Sequence, residues 1–137
     1  MSSPRMNPSA VRRPLIRPRL YLGHAISIGP GKIDLLREIQ VQGSISAAAR
    51  ALDIPYKRAW QLLDTLSALP LPVVETSIGG RSGGGARLTA YGAALIAAYD
   101  ALESRLNAAA ETELATLQRL VEADPRELAA QFTEHRS

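Results

Sequence analysis

The sequence predicts a mostly α fold: a helix-turn-helix, a two-stranded wing, and a long C-terminal helix suited to dimerisation. Three observations predict it. Apolar residues make up 46% of the chain but aromatics only 4%, two short helical segments are split by Asp53-Ile54-Pro55, and residues 79–85 hold five glycines in seven positions. A core built from Ala, Leu, Ile and Val favours helices. With 137 residues, one compact domain with a core is the expectation. The predicted organisation is a flexible basic leader over 1–19, a winged helix-turn-helix over 20–90, and a helical dimerisation segment over 91–137.

From Met1 to Pro18 four prolines interrupt a polar stretch, which reads as leader. Leu20, Leu22, Ile26 and Ile28 then approximate a period of two, suiting a short strand or extended arm that Pro30-Gly31 stops. Lys32 to Val41 carries Ile33, Leu35, Leu36 and Ile39 at helical spacing, ended by Gly43. Ser44 is placed to cap a second, Ala-rich helix. Pro55 suits the first position of a third, running to about Leu69 with Ala59, Leu63 and Leu66 facing the core. Short helix, tight turn, second helix is the geometry of a helix-turn-helix.

Pro70 and Pro72 end that helix, and residues 73–78 have strand composition. A glycine-rich tip and a returning strand from Ala86 to Thr89 complete a hairpin, the wing. Thr89 is placed to cap a fourth helix, expected to run unbroken to Asp124-Pro125. Its seam is Leu95, Tyr99, Leu102, Leu106, Ala110, Leu114, Leu117 and Val121. A helix that long outreaches so small a domain, and an identical subunit is the simplest cover for the overhang. Pro125 to His135 adds a short closing helix.

Composition also excludes functions. There is no Cys, and His24 and His135 are the only imidazoles, so no metal site or catalytic triad can be assembled and no catalytic residue is assigned. No run of 18 apolar residues and no secretory signal is visible, so the expected location is the cytoplasm, away from membrane. The segment I-G-P-G-K at 28–32 lacks the spacing and the following hydroxyl of a P-loop, and the wing glycines lead into a strand, so no nucleotide cofactor is expected. The charge is uneven. Residues 1–33 hold six basic and no acidic groups, 34–90 hold six and five, and 91–137 hold four and eight. The basic end is the one to meet an anionic polymer.

On the third helix the residues turned from the core are Tyr56, Lys57, Arg58, Gln61, Asp64 and Thr65. A recognition helix inserts its N-terminal part into the major groove, so Tyr56, Lys57 and Arg58 would reach bases and phosphates, and Gln61 a base edge one turn on. Trp60 falls at the boundary between buried and groove-facing sides and reads as support for this helix. Arg81 at the wing tip and Arg87 at its base are placed to contact minor groove or backbone.

The segment G-S-I-S-A-A-A-R-A-L-D-I-P-Y-K-R-A-W, residues 43–60, followed by G-G-R-S-G-G-G-A-R-L-T-A-Y-G, residues 79–92, resembles the N-terminal DNA-binding domain of the ModE family of molybdate-responsive regulators. It is more distantly similar to the DNA-binding domain of LysR-type regulators. The resemblance implies a winged helix-turn-helix, a homodimer held partly by the helix after the wing, and a palindromic double-stranded DNA operator in genes of molybdate uptake or molybdoenzymes. By position it implies that Ser44 and Ser46 open the first motif helix, that Tyr56, Lys57 and Arg58 open the recognition helix, and that residues 79–87 form the wing. Full-length members continue into paired oxyanion-binding domains, and this chain ends where those would begin. No site for molybdate or another oxyanion effector is visible, so sensing is not carried over.

The expected function is therefore sequence-specific DNA binding by a homodimer. The alternative is a winged-helix interaction or assembly module that does not touch DNA, supported by the modest charge of residues 34–90. An enzyme is the weakest reading, because no nucleophile is paired with a base.

Overall fold

A computed structural model describes residues 15–78 and 84–133. It contains β1 (Leu20–Leu22), β2 (Ile26–Ile28), α1 (Pro30–Gln42), α2 (Ile45–Ala51), α3 (Tyr56–Leu66), β3 (Val74–Ser77), β4 (Gly85–Leu88), α4 (Ala90–Ala109), α5 (Glu111–Glu122) and α6 (Pro125–Thr133). The mostly α winged helix-turn-helix that the sequence predicts is the fold observed. The described residues divide into two compact units, one over Arg17–Arg105 and one comprising residues 15–16 and 106–133.

The first unit is organised around α1, whose predicted apolar face is fully used. Leu35 and Ile39 pack with Ile45, Ala48 and Ala49 of α2, Ala59 of α3 and Ala86 of β4. The alanines let the motif helices approach closely. Leu36 joins Leu66, Val73 and Ile96 in a second cluster, and Ile33 joins Ile28 and Tyr99 in a third. Gly43 ends α1 in the left-handed region at φ 77°, donating its N–H to the Ile39 carbonyl at 2.9 Å. Its own carbonyl accepts from the Ala86 N–H at 2.8 Å, which ties the wing to the end of α1.

Several boundaries differ from the expectation. Residues 20–28 form a hairpin rather than one strand: Leu20 pairs with Ile28 and Leu22 with Ile26, around a turn containing Gly23 at φ 61°. Pro30 does not merely stop the strand but opens α1, where its missing N–H has no helical partner to lose. Pro55 is the extended N-cap of α3, at ψ 145°, rather than its first helical residue. The single long helix is interrupted at Ala110, whose φ of −105° and ψ of 17° separate α4 from α5. The signal for that break is Glu111 and Glu113 in the first turn of α5, where acidic side chains suit the positive end of a helix dipole.

Thr89 fulfils its capping role. Its hydroxyl oxygen accepts from the Gly92 N–H at 3.0 Å and its O–H donates to the Pro72 carbonyl at 2.6 Å, clipping α4 to the entry of the wing. Arg17 pairs with Asp34 at 2.5 Å, Arg37 pairs with Asp100, and the Tyr99 hydroxyl donates to the Pro18 carbonyl at 2.7 Å. In the second unit the Asn107 side-chain amide brackets Ile16, accepting from its N–H at 2.6 Å and donating to its carbonyl at 2.9 Å. Leu117, Val121 and Phe132 of that unit are exposed.

Candidate nucleic-acid interface

The turn between α2 and α3 sets the pose of the candidate recognition helix. Ser44 is extended and its hydroxyl oxygen accepts from the Ala47 N–H at 3.1 Å, satisfying a free amide of the first turn of α2. Asp53 then adopts φ 56°, a left-handed conformation that Asp tolerates better than most residues. The Ile54 N–H closes the turn on the Ala49 carbonyl at 3.0 Å. Ala59 and Leu66 anchor the inner side of α3, while Tyr56, Lys57, Arg58 and Gln61 are all exposed.

Two recesses flank α3, and Gln61 lines both. The first, of 570 Å³, lies against the wing and is lined by Lys57, Trp60 and Asp64 of α3 with Val74 and Thr76 of β3. The second, of 540 Å³, is lined by Arg58 and Thr65 of α3, Gly31, Lys32 and Asp34 of α1, and Arg19. Lys57 and Arg58, adjacent in sequence, thus serve opposite recesses. Trp60 is 45% exposed and its ring lies 6.2 Å from that of Tyr56. It belongs to the outer surface, which periodicity alone left at the boundary.

The other sequence-predicted residues are distributed around this helix. Ser44 and Ser46 sit at the start of α2 and line neither recess. Arg87 projects from β4, with its Nε and Nη2 both donating to Glu75 Oε2 at 3.1 Å across the wing. That pair is exposed, so its net worth is small, on the order of 0–1 kcal/mol, and the guanidinium can be redirected to another anion. Arg81 lies outside the described residues.

Sequence reasoning missed Arg19 and Lys32. Lys32 donates to the Ser27 carbonyl at 2.6 Å, and its pKa is lowered, first by burial and then by the charges of Arg19 and Arg58. The available signal was the acid-free stretch before Asp34. Within it residues 1–19 read as a leader and Lys32 as the start of a helix, and nothing in the sequence brings residues 19 and 32 beside residue 58.

No family model matches the chain. Among curated proteins, it is 42% identical over 85 residues to the "Transcriptional regulator ModE" of Haemophilus influenzae, covering 61% of this chain and 33% of that protein. It is 39% identical over 102 residues to the "Molybdenum transport protein ModE" of Azotobacter vinelandii, covering 66% and 38%. The "Molybdenum-pterin-binding protein MopA" of Rhodobacter capsulatus is 45% identical over 83 residues, covering 60% and 31%. Over this stretch the chain is similar to ModE and Mop proteins. The chain spans about a third of the length of these ModE and Mop relatives. Among solved structures, the "Multiple Antibiotic Resistance Repressor, MarR" superposes with a TM-score of 0.50 at 20% identity, covering 69% of this chain and 75% of that one. That likeness is one of fold, and it supports the winged-helix architecture.

Proposed function

We propose that this chain is a sequence-specific DNA-binding transcriptional regulator acting as a homodimer in the cytoplasm, on genes of molybdenum handling. The observation that carries the reading is the exposed face of α3, where Tyr56, Lys57, Arg58 and Gln61 stand clear of the core beside the wing. An α-helix of this kind fits the major groove, with Lys57 and Arg58 reaching bases and phosphates and Gln61 reading a base edge. Ser44 and Ser46 at the start of α2, together with Arg81 and Arg87 of the wing, contribute backbone contacts. A relative named as a DNA-binding transcriptional regulator supports the choice of DNA as partner, and relatives named for molybdenum transport and molybdenum-pterin binding support molybdenum-related genes as targets. Two copies would read a palindromic operator with half-site centres about 34–36 Å, one helical turn, or a multiple of that apart. Among the described residues no helix is long and apolar enough to cross a membrane.

The test is fluorescence anisotropy of the purified chain on its own promoter region and on random duplex in rising salt. The promoter is expected to bind more tightly, and Lys57→Ala with Arg58→Ala to weaken it by about tenfold or more, since each good base contact is worth about 1–3 kcal/mol. Equal, negligible binding to both duplexes at low salt would favour an assembly module instead.

A further inference from the structure

Arg19, Lys32 and Arg58 come from three separate parts of the chain, yet they line one recess of 540 Å³ beside α3. Among the described residues none of the three has an acidic partner at salt-bridge distance. The carboxylate that shares the recess, Asp34, is held by Arg17 at 2.5 Å. Lys32 spends one donor on the Ser27 carbonyl, and an ammonium has three.

The surroundings make this clustering costly without an anion. The recess opens at the start of α1, which has no side-chain cap and no acidic residue in its first turn. That is the positive end of the helix dipole, where added cations are disfavoured and anions favoured. Arg19 is pressed close, its Cζ only 3.0 Å from where a Cβ on Gly29 would stand. The pKa of Lys32 is lowered, first by burial and then by the charges of Arg19 and Arg58. Three cations and a helix N-terminus converging on one opening form a receptor for a tetrahedral dianion or a phosphodiester.

We propose that Arg19, Lys32 and Arg58 form a phosphate-binding recess that grips the DNA backbone on the side of α3 away from the wing. This rests on the DNA-binding reading above and adds Arg19 and Lys32 to it. Arg58 joins the recess to the recognition helix, so a phosphate held there would fix how α3 enters the groove. A free phosphate ion offers the same chemistry, and the experiment separates the two sources.

The experiment uses the full chain, its Arg19→Gln/Lys32→Gln double variant, the Arg19→Gln single variant, and the charge-keeping Arg19→Lys/Lys32→Arg. Circular dichroism checks the fold of each. Duplex binding is measured by anisotropy across a range of KCl, and thermal midpoints are compared in sodium phosphate and in sodium chloride of equal ionic strength. The salt slope, the dependence of log K on log salt, is expected to become shallower by about one for each cation removed, and the charge-keeping variant to retain it. A reduced slope with no preference for phosphate over chloride assigns the recess to the DNA backbone. An unchanged slope, with phosphate raising the midpoint of the wild type but not of the variants, overturns backbone gripping and assigns the recess to free phosphate. Neither effect overturns the recess altogether, and if the double variant does not fold, the single variant decides. Failure of the wild type to bind any duplex sinks the DNA reading separately, leaving the phosphate arm to judge the recess.

Discussion

Gly92, one turn into α4, stands where a Cβ would come within 2.3 Å of the Val73 carbonyl oxygen, and that neighbour is backbone, which cannot swing aside. Gly92→Ala is expected to destabilise the fold by about 1–3 kcal/mol in urea unfolding. Gly31 meets nothing within 4 Å, so Gly31→Ala is expected to raise stability by about 0.4–1 kcal/mol. The contrast tests close approach against backbone entropy, since both positions are helical. Tyr99 is the only buried aromatic side chain among the described residues, 4% exposed, and its hydroxyl donates to Pro18. Tyr99→Phe is expected to cost about 0.5–1.5 kcal/mol. Burial, and next the charge of Glu103, push the Tyr99 phenol above its usual 10.0. The folded chain thus holds that proton more firmly than the unfolded one. The stabilisation is present below pH 10.0 and declines as the pH rises above it. Unfolding titrations on either side of that pH should show a shallower decline for Tyr99→Phe.

At the scale of elements, the decisive feature is the turn that joins α2 to α3. Its left-handed residue is Asp53, at φ 56°. Asp53→Gly is expected to leave stability unchanged or slightly raised. Asp53→Val, β-branched, is expected to lose about 1–2 kcal/mol and to loosen the angle of α3, measured by thermal unfolding and by DNA affinity together. The helices of the motif were legible because their apolar residues are spaced at three and four and their ends carry Ser44, Gly43 and Thr89. The hairpin at 20–28 was not, because three-residue strands around Gly23-His24-Ala25 are too short for a period-two signal to reveal the reversal. The break at Ala110 has only the acidic first turn of α5, Glu111 and Glu113, as its signal, set in an alanine-rich sequence that is compatible with helix throughout.

For the whole molecule, the exposed apolar residues of α5 bear on assembly. Leu117 and Val121, four residues apart and so on one face, are 57% and 82% exposed. Under the proposed homodimer, Leu117→Glu with Val121→Glu is expected to shift the chain to monomer in sedimentation equilibrium with its helical content retained. DNA affinity should fall with it, because two half-sites would no longer be engaged by one particle. An unaltered sedimentation profile would remove α5 from the interface.

The sequence by itself determined the class of fold, the order of the motif helices, the residues of α1 and α3 that build the core, and the face of α3 left outside. Those properties depend on local spacing, on caps, and on glycine and proline, all of which are written within a few residues of each other. Only the tertiary structure decided that Trp60 lies on the surface beside Tyr56, that Arg87 is paired with Glu75, and that Arg19 and Lys32 meet Arg58. Such neighbours are set by how the packed elements close on α1. Charge proximity between residues 19 and 58 depends on that closure in space and leaves no periodic trace along the chain.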